Sequence, residues 1–239
     1  MRRFYAPPER FLGGLVKLDP EETRHLRQVL RLRVGDPARV FNGVGDEYQC
    51  LIQSISKSES TLTIVEQTTA TSRESPFHIT LAVAMLKGEK FDLVVQKSVE
   101  LGVATLIPLQ TARCEVQFKE SGGRADRWRR LALEATKQSG RAKLIEVREP
   151  ISLPMLLTQT GGRPMVMFSE RGGDAFSSIE VRNEITAIVG PEGGWDDDEL
   201  EQARSAAVSI VTLRGRVLRA ETAAMSIAAI LQHRFGDLN

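Results

Sequence analysis

The spacing of apolar positions divides the chain into two parts. Over about the first seventy residues it is mostly strand-like. Arg39-Val40-Phe41 runs into an Asn42-Gly43 turn, Tyr48 to Ile55 alternates, and Thr61 to Val65 is β-branched, which predicts a small meander or barrel. One helix interrupts this pattern. Asp19-Pro20-Glu21-Glu22 sets a capping residue before a proline at the first helical position, with acids in the first turn. Leu26, Val29 and Leu30 follow at helical spacing, and Gly35-Asp36-Pro37 closes the unit. Residues 67–76 are polar and β-breaking and predict a linker.

Beyond Pro76 strands and helices alternate. Phe77 to Ala84 reads as a strand, and Phe91, Val94, Val95, Ser98 and Leu101 mark one face of a helix. Ala104 to Leu109 is a second strand, and Trp128, Leu131 and Ala135 lie on a second helix. Strands at Met165 to Phe168, Ile185 to Val189 and Val208 to Leu213 follow, with helices after Trp195 and after Glu221. The expected fold class is therefore α/β, a mainly parallel sheet with helices on both faces, preceded by a small β-rich domain; the boundaries are 1–72 and 73–239. Ligands of such sheets bind beyond the carboxyl ends of the strands.

Three loops at those ends stand out: Phe168 to Gly173, Gly190-Pro191-Glu192-Gly193-Gly194, and Leu213 to Thr222. A phosphate cradle is the first possibility, but there is no GxxxxGK[ST] and no GxGxxG after a strand, and the acids following Gly194 would repel phosphate. Those acids fit a helix start, with Asp196 as cap and Glu199 three residues on. The three glycines around a rigid proline suit close approach of backbone to a ligand. The small residues of Thr222 to Ile230 suit either ordinary helix packing or contact with a ligand loop or a second copy of the chain.

Composition narrows the class. With 239 residues, 41% hydrophobic and 26% charged, the chain has the make-up of a folded soluble protein. No apolar run forms a signal-peptide core or approaches the roughly 20 residues of a membrane span, so a cytoplasmic location is expected. Cys50 and Cys114 are far apart and His25, His78 and His233 are scattered, so no metal site is expected. The net charge of +1 argues against a nucleic-acid partner only as a total. Residues 1–33 carry 8 basic and 4 acidic side chains, residues 113–148 carry 10 and 5, and residues 192–201 carry 6 acids and no base. Two cationic stretches suited to an RNA backbone are offset by one acidic stretch.

Five segments occur in an order that carries a resemblance: Lys87-Gly88-Glu89-Lys90, Gln96 to Val103, Glu134 to Arg141, Gly190 to Gly194, and Val217 to Ala223. Together with Arg2-Arg3-Phe4 and the stretch Arg24-His25-Leu26 to Leu30-Arg31, they make the chain resemble the ribosomal RNA small subunit methyltransferase E family over nearly its whole length. The resemblance implies methyl transfer from S-adenosylmethionine to N3 of a uridine in 16S ribosomal RNA. It also implies a PUA-like RNA-binding barrel, a SPOUT domain with a deep trefoil knot, and a homodimer. Two departures fall in the cofactor loop: Ala220 stands where threonine is common, and Arg214-Gly215 where the family often has Gly-Pro.

Carried over by motif, the methyl-donor pocket would be lined by Phe168, Ser169, Gly190, Pro191, Glu192, Gly193, Gly194, Leu213, Leu218, Arg219 and Thr222. Glu192 and Glu170 are candidate proton acceptors or ribose ligands, and Arg219 or Arg113 could stabilise a uridinate charge. The RNA-binding candidates are Arg2, Arg3, Arg24, Arg27 and Arg31 in the first domain, and Lys87, Lys97, Arg113 and Arg141 in the second, with the small ribosomal subunit as partner. Phe4 or Tyr5 could stack on bases, with core packing as the alternative for one of them. Competing readings are a non-catalytic RNA-binding or assembly factor, and a SPOUT enzyme acting on another RNA or on a ribose 2′-hydroxyl.

Overall fold

The computed structural model describes residues 2–116, 123–159 and 162–238. The chain forms two compact units, Met1–Glu74 with Thr136–Leu144, and Ser75–Ala135 with Ile145–Asn239. The first unit thus takes in a short segment that the alternating pattern assigns to the second. The helix Arg124–Ser139 begins in the second unit, and its residues from Thr136 onward count with the first.

In the first unit six strands make one sheet, in the order Arg3–Tyr5, Pro37–Phe41, Glu47–Ile55, Ser60–Thr68, Leu15–Leu18, Phe11–Leu12. All pairs are antiparallel except the first. Alternate side chains fill the core, among them Phe4, Val16, Leu18, Val40, Ile52 and Leu62. Phe4 is therefore a packing residue. At the expected turn, Asn42 Oδ1 accepts the amides of Val44 and Asp46, both at 3.0 Å. Burial pushes the Cys50 thiol up to about 12.

The expected helix starts where its cap is: Asp19 accepts the Glu22 amide at 2.8 Å. Regular α-helix covers only Pro20–Arg24, and His25–Val29 continues as a wider π turn. That change of pitch keeps Leu26 in the core and turns Val29 outward, 68% exposed, so the helical spacing overcounts the buried face.

Two of the RNA-binding candidates have their charges engaged inside the unit. The Arg3 side chain is only 8% exposed. Its Nε donates to Glu47 Oε1 at 2.9 Å, and its remaining nitrogens to the carbonyls of Thr136, Lys137 and Arg141. Arg141, 6% exposed, donates to Glu74 at 2.7 Å. Lys137, also in a cationic stretch, pairs with Glu22, whose carboxyl is pushed up by burial against the pull of that ammonium.

The two ends of the polar linker are each bonded within their own unit. On the side of the first unit, Ser72 Oγ donates to Ser139 O at 2.6 Å and Glu74 holds Arg141; on the side of the second, Ser75 Oγ donates to Gln232 Oε1 at 2.7 Å.

In the second unit the sheet is parallel throughout, in the order Ile151–Ser152, Thr105–Gln110, His78–Ala84, Glu184–Val189, Met165–Phe168, Ser209–Thr212, Asp174–Ala175, with Glu146–Val147 also beside Thr105–Gln110. Its central strands are buried on both faces, which is why they read as continuous apolar runs. Ile79, Leu81 and Val83 join the core against helices Lys90–Glu100 and Ala220–Phe235. Ala82, Met167 and Ile188 join the opposite core with Leu156, Trp195 and Leu200, the last from helix Asp197–Ser205. The α/β architecture with helices on both faces is the expected one. No helix of the described residues is long and apolar enough to cross a membrane.

Candidate functional site

Three neighbouring parallel strands, Glu184–Val189, Met165–Phe168 and Ser209–Thr212, end at the same edge of the sheet. The loops that leave them enclose a cavity of about 470 Å³, within the range of small-molecule sites, roughly 300–1,000 Å³. Its walls include Phe168, Ser169, Glu170, Gly190, Pro191, Glu192, Gly193, Gly194, Leu213, Leu218 and Arg219. Of the motif-derived pocket residues only Thr222 is not among the lining residues. Arg113 stands outside the lining as well.

Two of the three loops are fixed by bonds of their own. Ser169 donates its amide to Val211 O at 2.9 Å, and its hydroxyl to Arg171 O at 2.7 Å, which bends the chain after the strand. The Gly190 loop closes on itself through Gly194 N to Pro191 O at 3.0 Å. Gly194 adopts φ +69°, a backbone conformation that favours glycine, and a Cβ there would come 2.8 Å from Glu170 Oε1, so the two loops meet at this position. Gly190 lies flat on Trp195, whose Nε1–H donates to Phe168 O at 2.8 Å and so joins the ends of two strands beneath the cavity.

The acidic run after Gly194 caps the next helix. Asp196 accepts the Asp198 amide, and Glu199 reaches back to the Asp196 amide at 3.1 Å while also accepting from Ala112 N at 2.8 Å. The Asp198 amide, then Arg113, hold the Asp196 carboxyl below its ordinary value. Arg113 donates to Asp196 at 2.9 Å and to Gly193 O at 3.3 Å, so it braces the glycine loop from outside the cavity.

The electrostatics of the rim are mixed. Glu192 pairs with Lys90 at 3.0 Å, and Glu170 lies 3.7 Å from Arg171. Arg216 and Arg219 line the cavity and form no ion pair among the described residues. Lys87 pairs with Glu115 at 3.4 Å, both exposed, and the half-buried Lys97 pairs with Glu100 at 2.8 Å. In the first unit Arg2, Arg24 and Arg31 are exposed and Arg27 half-buried, and none has an ion-pair partner among the described residues. No group of three or more metal-ligating side chains occurs among the described residues.

Trp195 and Lys90 are the residues that sequence reasoning undervalued. In the sequence Trp195 only marks the start of a helix, and nothing in its position after Gly-Gly shows that it packs beneath Gly190. Lys90 belongs to a segment singled out for resemblance, but nothing in one dimension pairs it with Glu192, 102 positions on.

Comparison with known proteins bears on what the cavity serves. The RNA methyltransferase domain family matches residues 73–232, and the RNA methyltransferase PUA domain family matches residues 18–65. Ribosomal RNA small subunit methyltransferase E of Rickettsia conorii is 34% identical over 216 residues, covering 88% of this chain and 85% of that protein. Its counterpart from Bacillus subtilis is 30% identical over 226 residues, covering 90% and 88%. The Neisseria gonorrhoeae enzyme of the same name, solved bound to S-adenosyl methionine, superposes with a TM-score of 0.91 at 33% identity, covering all of both chains. The chain belongs to the ribosomal RNA small subunit methyltransferase E family.

Proposed function

We propose that this protein transfers the methyl group of S-adenosylmethionine to N3 of a specific uridine in 16S ribosomal RNA, in the cytoplasm and on the assembled small subunit. The observation that carries this reading is the cavity at the ends of three parallel strands, with the family's glycine loop as one wall. Its residues suit the methyl donor. Backbone groups from three loops offer donors and acceptors for an adenine. Leu213, Leu218, Ala223 and Ile227 offer apolar surface, and a Cβ at Gly190 or Gly194 would disturb the wall. When bound, S-adenosylmethionine supplies a methyl group already activated on a sulfonium.

The chain's own task is then to position the uracil and take its proton. Glu192 and Glu170 are carboxylates on the wall, and Arg219 is a cation there that forms no ion pair among the described residues. Residues 1–72 serve as the RNA-binding domain through Arg2, Arg24, Arg27 and Arg31. Residues 73–239 form the knotted methyltransferase domain, with Lys87, Lys97 and Arg113 near the RNA. Reaching a stacked base requires flipping it out.

The purified protein is expected to label small subunits with methyl from S-adenosylmethionine, and nucleoside mapping is expected to return N3-methyluridine. A 2′-O-methyl product, or product only in another RNA, would replace the reading with a different SPOUT specificity. No label on subunits, 16S RNA or tRNA would favour a non-catalytic assembly factor.

The working form is a homodimer. Ala223, Met225, Ser226, Ala229 and Ile230 on helix Ala220–Phe235 are only partly covered within the chain. Light scattering at micromolar concentration should return twice the 26.5 kDa chain mass; a single-chain mass would refute the dimer.

A further inference from the structure

Lys90 is placed against two ordinary preferences. It is the first residue of helix Lys90–Glu100, where the positive end of the backbone dipole disfavours a cation. The preceding residue, Glu89, gives the helix no side-chain cap, and the acid of the first turn, Asp92, is engaged by Arg127 and Trp128 rather than by Lys90. Its ammonium also reaches 102 positions along the chain to Glu192 Oε1, at 3.0 Å, on the wall of the cavity. Both side chains keep partial access to solvent, 38% and 26%. An exposed pair of this kind adds little to stability. A local rule broken beside a cavity, with so little gained in folding, suggests a functional use.

We propose that Lys90 is a catalytic residue that takes the negative charge of the uracil as N3 loses its proton. The inference rests on the uridine-N3 reading given above. In the resting site the ammonium is paired with the Glu192 carboxylate. The N3 proton passes to Glu192, which becomes neutral, and the electron pair left behind is shared between N3 and the adjacent carbonyl oxygen. The ammonium, which keeps all its protons, exchanges the carboxylate for this new anion. One negative charge is present before and after the step, and it has a cation beside it throughout. The N3 pair is then free to take up the methyl group. Stabilisation of a developing oxyanion by a preplaced donor is worth about 100-fold or more in rate. A donor that releases one anion as it meets the next needs no reorganisation of distant groups.

The test compares the wild-type protein with Lys90→Met and Lys90→Arg in single-turnover methylation of small subunits carrying either uridine or 5-fluorouridine, whose N3–H is the stronger acid. Calorimetric titration with S-adenosylmethionine runs in parallel. Lys90→Met is expected to keep donor affinity within about twofold and to lose about 100-fold in rate on uridine. Its deficit should shrink to about tenfold or less on 5-fluorouridine, because less charge stabilisation is needed there. Lys90→Arg should recover most of the rate.

Wild-type rates in Lys90→Met, or equal deficits on the two bases, would overturn the proposal. A loss of donor affinity would overturn it too, since Lys90 would then act by holding Glu192 and the cavity wall in shape. If the wild-type protein itself forms no N3-methyluridine, the underlying reading fails, and this inference fails with it.

Discussion

Gly190→Val is expected to abolish methyl transfer, with a rate loss beyond about 100-fold, the scale of misplacing reacting groups by an ångström. A Cβ at this position would lie 2.9 Å from Cε2 and 3.0 Å from Nε1 of Trp195. The indole is among the largest fully buried side chains of the protein and is held by its bond to Phe168 O, so any shift carries it toward the cavity that it lines. Displacing it pulls on the end of the neighbouring strand, so two of the three loops around the cavity move together. Overpacking of this kind costs about 1–3 kcal/mol, which a domain of ordinary stability survives. Folding and function should therefore separate. Thermal unfolding should still be cooperative, while calorimetry should detect no binding of S-adenosylmethionine. A variant that binds the donor like the wild type would show that Trp195 does not set the wall.

The second large effect lies in the first unit. Arg3→Met is expected to destabilise it by about 3–5 kcal/mol, since it removes one partner of a buried ion pair and leaves the other charged. Glu47 has no exposed side-chain surface, and the remaining cation near it, Arg39, is 3.9 Å away. Three backbone carbonyls lose their donor in the same change. Chemical denaturation followed by the double variant Arg3→Met, Glu47→Leu checks the cause, because removing the stranded carboxylate should recover much of the loss. If Arg3→Met kept the wild-type midpoint and instead weakened RNA binding, the arginine would belong to the interface after all.

The sequence was legible where side-chain periodicity reports burial directly. The apolar runs at 78–84, 165–168 and 184–189 identify strands of a buried parallel sheet because both faces are covered, and Asp196 with Glu199 identifies a helix start because the cap is local. Two-residue strands such as Ile151–Ser152 and Asp174–Ala175 were not legible, since they are too short to show any period. Charge was the least legible property. Arg3 and Arg141 counted as cations for RNA, yet burial and a partner distant in sequence decide what a guanidinium does, and neither is written in one dimension. The cavity loops were legible in outline through their glycines. Their mutual contacts, Gly194 against Glu170 and Gly190 against Trp195, needed three dimensions.

The segment Thr136–Leu144 has a consequence for how the chain is made. Glu22, Glu47 and Glu74 find Lys137, Arg3 and Arg141 within the first unit, and Arg3 itself is held by three carbonyls from residues 136–141. A nascent chain ending at Glu74 has every strand of the first sheet but lacks Lys137, Arg141 and the carbonyls that hold Arg3, which emerge about 60 residues later. At roughly 5–20 residues/s that is a delay of several seconds. During it Glu22 and Glu74 wait without their cations, so the first unit reaches its full stability only after much of the second has been synthesised.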